Sequence, residues 1–494
     1  MASIGVHAQE LASDPGLRRT VAIVPRVSVT ETLTDNVRLS NSGRQSELIT
    51  EISPGILISS EVGRLKGHFD YSLSELVYAK NSSPNQSHNA LNTFGTLEAV
   101  DNWAYLDFNG AISQQAISAF GTQSLDNASV NANRTEVSSY RLSPYVRGRV
   151  GSLASYEARY SRAVTSSDAA TGSDVSTADG MVRISGDSSF KNLGWAMDAS
   201  QQRVDYSAGR STETDRLNLR LSFAVTTQFN VFANGGREAN NYTSVDKQRY
   251  GTSGFGMNWS PSEMTTISAQ KDHRSFGDTH NVSFEHRTAR TAWRFSDSKD
   301  VSATPSQTGI ASLGSVYDLL YSQFASLEPN PTARAKLVNA YLQANGISPN
   351  AIVISSFLTA AVALERRQDL SLALLGVRDT ITFIATRSEG TRLDTVSTGI
   401  DDFSNSSLVR QRGFIVNYAH RLTPDYSLGI LASQQKTSGD SSQPDTTLRS
   451  FNINVSGRVG RKATASVGVR RVVYSGNTAS YSETAVIGSL TVLF

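Results

Sequence analysis

Hydrophobic and polar residues alternate along most of the chain. Within residues 217–225 every second residue is apolar, and Asn218 and Arg220 are among the polar residues between them. Residues 451–459 repeat the pattern, with Ile453 on the apolar side. Because successive side chains of a β-strand point to opposite faces, the pattern predicts many strands with one apolar face each. Alternation alone fits both a soluble sandwich with this face inside and a membrane barrel with it outside.

The chain ends on a strand of this kind, Thr484–Phe494, in which Val492 and Leu490 share a face with Phe494. A free chain end frays unless something holds it. Bacterial outer-membrane β-barrels end on such an aromatic strand, which resembles the signal read by the barrel-insertion machinery. The pattern therefore predicts an insertion signal at Phe494, Val492 and Leu490, although the buried last strand of a soluble sandwich would look similar.

The connections between strands form two groups that broadly alternate. Tight turns are predicted at 149–153, 225–228, 260–263, 286–291, 377–380, 420–426 and 460–462. Long polar loops are predicted at 36–45, 81–88, 119–133, 166–176, 393–407 and 439–446. Outer-membrane barrels alternate short periplasmic turns with longer external loops, so this arrangement favours the barrel over the sandwich. Counting strands from residue 21 to the end gives about 22, an even number that places both termini in the periplasm.

One segment, residues 301–365, loses the period of two and acquires helical spacing. Its apolar positions form two stripes, and Asn330, Pro331 and Gly346 lie where helix ends favour them. A barrel of about 22 strands is too wide for wall side chains to fill, so its lumen is either open or plugged. We predict that this insert folds into the lumen as a plug, with a cap above the barrel as the alternative. The predicted plug residues are Val316, Leu320, Phe324, Leu337 and Tyr341.

The predicted fold class is therefore an all-β, transmembrane antiparallel β-barrel with a helical insert. Residues 1–18 are interpreted as the remnant of a secretory signal peptide. Residues 19–300 form the first part of the barrel and residues 366–494 the second, on either side of the insert. The predicted location is the outer membrane of a Gram-negative bacterium, where the barrel would contact lipid and lipopolysaccharide.

Composition excludes several other classes of protein. No run approaches the ~20 apolar residues of a transmembrane helix, so a helical membrane protein is excluded. The chain has no cysteine, which removes disulfides and thiolate chemistry. Its net charge of +2, without a basic run that alternates with aromatic residues, gives no basis for nucleic-acid binding.

Six segments carry a resemblance to a known family: 28–37, 49–56, 286–296, 317–320, 330–334 and 339–346. They resemble the outer-membrane β-barrel proteins associated with the PEP-CTERM/exosortase system. The resemblance implies an outer-membrane barrel that occurs alongside exopolysaccharide and protein-sorting systems, with polysaccharide or secretion components as possible partners. It brings no catalytic motif.

Little in the sequence indicates catalysis. His273, His280 and His286 lie close together and could bind a metal ion with Asp278, but His273 and His280 differ in strand parity, so ordinary polar strand residues are the favoured interpretation. No Ser-His-Asp constellation can be recognised from dispersed residues. We therefore expect no enzyme activity, no catalytic residue, no metal site and no cofactor.

The polar faces of the strands carry more arginine than acid. If the apolar faces meet lipid, then eight charged candidates line the lumen: Arg141, Arg147, Arg149, Arg220, Arg458, Arg470, Asp70 and Asp107. Such arginines would attract anions, or would simply solvate the wall and anchor the plug. Two functions stay open: a porin-like or gated conduit, with exopolysaccharide or another anionic solute as cargo, and a non-conducting barrel that docks a secreted protein or polysaccharide.

Overall fold

The strands of the computed structural model hydrogen-bond side by side into one antiparallel sheet of 22 strands. The structure describes residues 21–60, 63–80, 82–169, 174–187, 192–207, 209–302, 361–393, 401–440, 443–476 and 479–494, together with Tyr317, Tyr321, Arg334, Ala335, Val338, Asn339, Phe357 and Thr359. The predicted signal remnant at 1–18 lies outside these residues.

The first eleven strands are β1 (Val21–Thr34), β2 (Glu47–Ser60), β3 (Leu65–Tyr78), β4 (Gln86–Val100), β5 (Ala104–Ala116), β6 (Arg134–Val150), β7 (Ala154–Ser167), β8 (Val175–Asp187), β9 (Leu193–Tyr206), β10 (Thr212–Ala224) and β11 (Phe229–Asn240). The other eleven are β12 (Gln248–Ser262), β13 (Thr265–Arg274), β14 (Gly277–Arg287), β15 (Thr291–Ser302), β16 (Ala363–Leu375), β17 (Asp379–Arg392), β18 (Leu408–Arg421), β19 (Tyr426–Ser438), β20 (Thr446–Gly460), β21 (Ala463–Ser475) and β22 (Ser480–Leu493). One short helix, α1 (Asp402–Asn405), precedes β18.

The last strand closes the sheet into a barrel. β22 pairs antiparallel with β1 in a register that runs from Arg26 opposite Leu493 to Thr34 opposite Ala485. The backbone N–H of Phe494 continues this seam by donating to the carbonyl oxygen of Pro25 (2.9 Å). Closure leaves no unpaired sheet edge, as a β-structure that spans a membrane requires. The predicted antiparallel barrel and its strand number are thus confirmed.

Large apolar side chains cover the outer surface of the strands. On β10 the side chains of Leu217, Leu219, Leu221 and Phe223 are about half exposed, while the polar residues between them are partly buried. On β20 Ile453 is exposed and its neighbour Asn454 is not. The outer surface therefore carries the apolar faces, and the polar faces turn inward, as the barrel interpretation predicts.

The connections are short at the end of the barrel where β1 begins and β22 ends, as at 225–228, 288–290 and 461–462, and the long connections are at the other end. Following the architecture of outer-membrane barrels, the first end is periplasmic and the second extracellular. The insert leaves β15 and enters β16 on the extracellular side. Among the described residues, no helix is long and apolar enough to cross a membrane.

A charge on the outer apolar surface should destabilise the barrel. Leu219 lies at the middle of β10, so Leu219→Arg should lower the free energy of unfolding by about 2 to 4 kcal/mol, the cost of a cation near the bilayer midplane. Ile453→Arg should behave in the same way. Urea titration of the barrel in lipid vesicles measures the effect, with Asn218→Arg as the inward control. An equal loss in the control variant would contradict the assignment of faces.

Candidate functional site: the barrel interior

Pairs of hydroxyl groups occur on the inner wall from β19, through β22 and β1, to β3. They pair across neighbouring strands at Ser28 with Thr491 (2.9 Å), Ser53 with Ser74 (2.7 Å), Ser433 with Ser450 (2.6 Å) and Ser466 with Ser489 (2.7 Å). Each hydroxyl can donate one hydrogen bond and accept others, so every pair keeps bonding capacity for water or a solute. These hydroxyl pairs make this part of the wall polar, beside the ion pairs of Arg26 with Asp70 and Arg470 with Glu483.

Several of the predicted lumen residues form ion pairs with residues outside the predicted set. Asp70 accepts two hydrogen bonds from Arg26 (2.5 and 3.1 Å), and Asp107 accepts one from Arg159 (2.6 Å). Arg458 lies 3.7 Å from Asp425 at the periplasmic end. Arg26 and Arg159 thus neutralise the two predicted acids, and Asp425 is the acidic neighbour of Arg458.

Four of the predicted arginines, Arg141, Arg147, Arg149 and Arg220, have no ion pair with a described residue. The guanidinium of Arg147 lies 4.4 Å from the ring centre of Tyr105, and that of Arg220 lies 4.2 Å from the ring centre of Phe232. Arg141 and Arg149 lie on the same inward face of β6. Arginine stacked on an aromatic ring keeps its charge and its outer N–H groups available. That these arginines line the lumen stays a prediction.

The connection between β5 and β6, residues 117–133, folds across the extracellular mouth. We call it the mouth loop. Its carbonyl oxygens accept hydrogen bonds from three inward tyrosines: Gly121 from Tyr474 (2.9 Å), Gln123 from Tyr481 (2.5 Å) and Ala128 from Tyr78 (3.1 Å). Tyr78 lies on β3, whereas Tyr474 and Tyr481 lie on β21 and β22. From β5 the mouth loop therefore extends across β4, β3, β2, β1 and β22 to β21, and it narrows the opening.

A buried ionic cluster fixes this loop to the wall. The Arg470 guanidinium binds the Asp126 carboxylate and donates to Glu483 (3.0 Å), and Thr34 also donates to Glu483 (2.8 Å). Arg470 and Glu483 are almost fully buried. Arg134 donates to the Asp126 carbonyl oxygen. Burial by itself would raise the pKa of Asp126, but the Arg470 charge and hydrogen bonds from Arg470 and Ser129 hold that pKa below its ordinary value.

A second contact joins the mouth loop to the connection between β17 and β18. The carboxylate of Asp402, in the first turn of α1, accepts hydrogen bonds from the Ser118 hydroxyl (2.6 Å) and the Ala119 N–H (2.7 Å). Burial raises the pKa of Asp402 above its ordinary value, and these two hydrogen bonds partly offset that effect. The mouth loop is thus held at its start, by Asp402, and in its middle, by Arg470.

The described residues of the insert contact the inner wall at two heights. The ring of Tyr321 lies 6.3 Å from that of Phe94, which in turn stacks on buried His68 at 5.5 Å. Phe94 lies in the periplasmic half of β4. Nearer the mouth, Phe357 forms a parallel bridge with Ala116, and the Thr359 hydroxyl donates to Asp401 (3.0 Å).

Other described insert residues pack within the insert. The Arg334 guanidinium lies 4.9 Å from the Tyr321 ring centre, and Tyr317 stacks on Tyr321 at 5.8 Å. Tyr317, Tyr321, Arg334, Ala335, Val338 and Asn339 have helical backbone, and Ala335 and Val338 are fully buried. The predicted plug residues Val316, Leu320, Phe324, Leu337 and Tyr341 lie outside the described residues, so the plug stays a prediction.

The three neighbouring histidines do not meet at one site. His273 binds Asp278 (2.9 Å), His280 binds Asp297 (2.9 Å), and His286 binds Thr265 (2.8 Å). The parity argument was wrong, because the hairpin register pairs His273 with Asp278 and Lys271 with His280, which places both histidines on the outer face. Within the described part of the chain, no group of three His, Asp or Glu residues could hold a metal ion.

A closed barrel of 22 strands that turns its apolar side chains outward and its polar side chains inward is an outer-membrane β-barrel. The protein is located in the outer membrane of a Gram-negative bacterium. No protein-family model matches the chain, and no curated protein matches it in sequence.

Solved structures with a similar fold are receptors and transporters. The FrpB iron transporter of Neisseria meningitidis (F3-3 variant) is 9% identical, with a TM-score of 0.50, and the match covers 95% of this chain and 82% of that one. BauA, the ferric preacinetobactin receptor of Acinetobacter baumannii, is 9% identical, with a TM-score of 0.48 and coverage of 95% and 80%. The siderophore receptor PirA of Pseudomonas aeruginosa is 8% identical, with a TM-score of 0.45 and coverage of 97% and 81%. At these identities the likeness shows the fold alone.

Proposed function

We propose that the protein is a gated outer-membrane conduit for polar solutes. In this proposal the insert between β15 and β16 closes the lumen, and the mouth loop narrows the extracellular entrance. The contact between Tyr321 and Phe94 carries the proposal. The insert begins at the extracellular end of β15, yet Tyr321 touches the wall about 26 Å along β4 from its extracellular end, at a rise of about 3.3 Å per residue. A cap resting above the barrel would not reach that depth.

The polar wall supports a conduit over a purely structural barrel. A lumen of this width needs a plug or a solvated interior, and cross-strand hydroxyl pairs suit contact with water and with hydroxyl-rich solutes. FrpB, a barrel of the same fold, is an iron transporter, so this architecture can support transport.

The proposed cargo is a polar, hydroxyl-rich solute with negative charge, such as an acidic exopolysaccharide. Hydroxyl pairs on one side of the wall can bond sugar hydroxyl groups. Arg141, Arg147, Arg149 and Arg220, which lack acidic partners among the described residues, can bind carboxylates on the other side. An association with an exosortase system, which the sequence resemblance implies, is consistent with such a cargo and stays part of the proposal.

Removal of the insert tests the closure. Deleting residues 305–360 and joining the ends with a flexible linker should leave a folded barrel whose conductance in planar bilayers is much larger than that of the intact protein. The shift in electrophoretic mobility on heating, which folded barrels show, reports folding in both proteins. An unchanged conductance would contradict closure by the insert and would favour the docking barrel.

A cross-linking experiment tests where the insert lies. The chain has no cysteine, so Phe94→Cys with Tyr321→Cys introduces a unique pair that a short bismaleimide should join. Phe108→Cys with Tyr321→Cys is the matched control, because Phe108 points outward from the neighbouring strand β5. Efficient cross-linking of the first pair but not of the control supports an insert inside the lumen. Equal, weak reaction in both pairs would contradict it.

A further inference from the structure

Three basic residues stand side by side on the outer surface. Arg387 on β17 lies directly opposite Arg412 on β18, and Arg412 lies directly opposite Lys436 on β19. All three side chains are exposed. They share the outward face with Phe414, which is two residues from Arg412 and about half exposed. We call Arg387, Arg412 and Lys436 the outer basic row.

The row has more positive charge than its neighbours neutralise. Like charges directly opposite one another on neighbouring strands destabilise a sheet. Arg387 donates to Glu389 (3.2 Å), and Lys436 lies within hydrogen-bonding distance of Asp445 (2.6 Å). Arg412, in the centre, has no ion pair with any described residue. An external anion would relieve the repulsion at that position.

The same sector of the barrel is basic beyond the row itself. Arg449 on β20 is exposed, faces outward and has no ion pair with a described residue. Its cross-strand neighbour Gln434 lies on the same strand as Lys436. Around β9–β12, by contrast, acids lie beside Arg203 and Lys247: Arg203 pairs with Asp205 and Glu213, and Lys247 pairs with Glu213 and Asp215. On β17–β20, Arg412 and Arg449 are exposed and have no ion pair with a described residue.

The row lies at the extracellular edge of the apolar surface. Toward the periplasm, the next outward residue is Ala385 on β17, Phe414 on β18 and Gln434 on β19. On β20, Phe451 follows Arg449 in the same direction. Toward the other side the strands end in the extracellular connections 393–407 and 439–445. Two residues of strand span about 7 Å, so the row is at the level where acyl chains give way to headgroups.

We propose that the outer basic row binds the phosphate groups of lipopolysaccharide in the outer leaflet. Arginine matches phosphate with two parallel hydrogen bonds, and lysine adds a compact charge. A transported solute is not the ligand, because the row faces away from the lumen. An acidic protein partner fits less well, because the apolar surface directly below the row lies in lipid. Clusters of cations at a membrane surface bind anionic headgroups in this way.

Neutralising the row tests this site. The variant Arg387→Gln, Arg412→Gln, Lys436→Gln should bind diphosphoryl lipid A in detergent micelles roughly 100-fold more weakly, at about fivefold for each cation. Lipopolysaccharide phosphate retained by the purified barrel should fall with it. The control Arg421→Gln, Arg461→Gln, Lys462→Gln removes the same charge from exposed positions at the periplasmic end and should bind as the unaltered protein does.

The comparison of probes identifies the ligand. The unaltered barrel should bind diphosphoryl lipid A much more tightly than the dephosphorylated form and more tightly than phosphatidylglycerol. Unchanged binding by the row variant, or equal binding of either comparison lipid, would overturn the proposal. Heat-dependent mobility confirms that each variant is folded. Conductance after deletion of residues 305–360 should be the same with and without the row, so failure here is distinguishable from failure of the conduit.

Discussion

Replacing Arg470 with methionine should release the mouth loop from the wall. Arg470 is the cation shared by Asp126 and Glu483, and its removal leaves two carboxylates in a buried site. Loss of one partner from a buried ion pair costs about 3 to 5 kcal/mol. The three tyrosine hydrogen bonds that also hold the loop on the wall contribute about 1 kcal/mol each, so they do not outweigh that cost. We therefore expect a wider and more variable extracellular opening.

The measurement is conductance in the protein that lacks residues 305–360, with and without Arg470→Met, together with limited proteolysis of residues 117–133. The variant should conduct more and be cut faster within the mouth loop. Arg458→Met is the control, since Arg458 is exposed and makes only a 3.7 Å ion pair at the periplasmic end. Asp126→Ala, which leaves the strands unaltered, should reproduce the effect if Arg470→Met folds poorly. A loop that stays protected in both variants would refute the role of the cluster.

Removal of Phe494 should prevent most of the protein from reaching the membrane. Its N–H makes one hydrogen bond to Pro25, and its side chain points outward and is largely exposed, so the loss of folded stability should be only about 1 kcal/mol. If much less barrel assembles although the folded stability changes little, the defect lies in recognition by the insertion machinery and not in the stability of the barrel. Leu490 and Val492 lie on the same outward face of β22.

Fractionation measures the outcome. In cells, the truncated chain should accumulate as periplasmic aggregate. After refolding in detergent, the truncated barrel should unfold at nearly the same urea concentration as the full-length barrel. Phe494→Tyr keeps an aromatic end and should assemble, and Phe451→Ala removes an outward aromatic from β20 as a control for lost lipid contact. Normal assembly of the truncated chain would disprove the predicted signal.

The sequence by itself determined the barrel, its strand number and the orientation of its faces. Alternation and turn chemistry are local properties, so they can be read from a few neighbouring residues. The turn predicted at 286–291 separates β14, which ends at Arg287, from β15, which begins at Thr291. The outward side chains of Leu219 and Ile453 follow from the same period. The interruption of that period also marked the insert between β15 and β16.

Only the tertiary structure decided which residues meet inside the barrel. Residues 119–133 have the composition of a solvated loop, but Asp126 binds Arg470, and the Ala119 N–H donates to Asp402. These contacts join distant parts of the chain. Strand parity misplaced His273 relative to His280, because the register of their hairpin depends on the turn between them. A loop whose polar residues face water and a loop whose polar residues bind distant strands of the wall have the same kind of local sequence. Closure of the sheet is what brings those partners together.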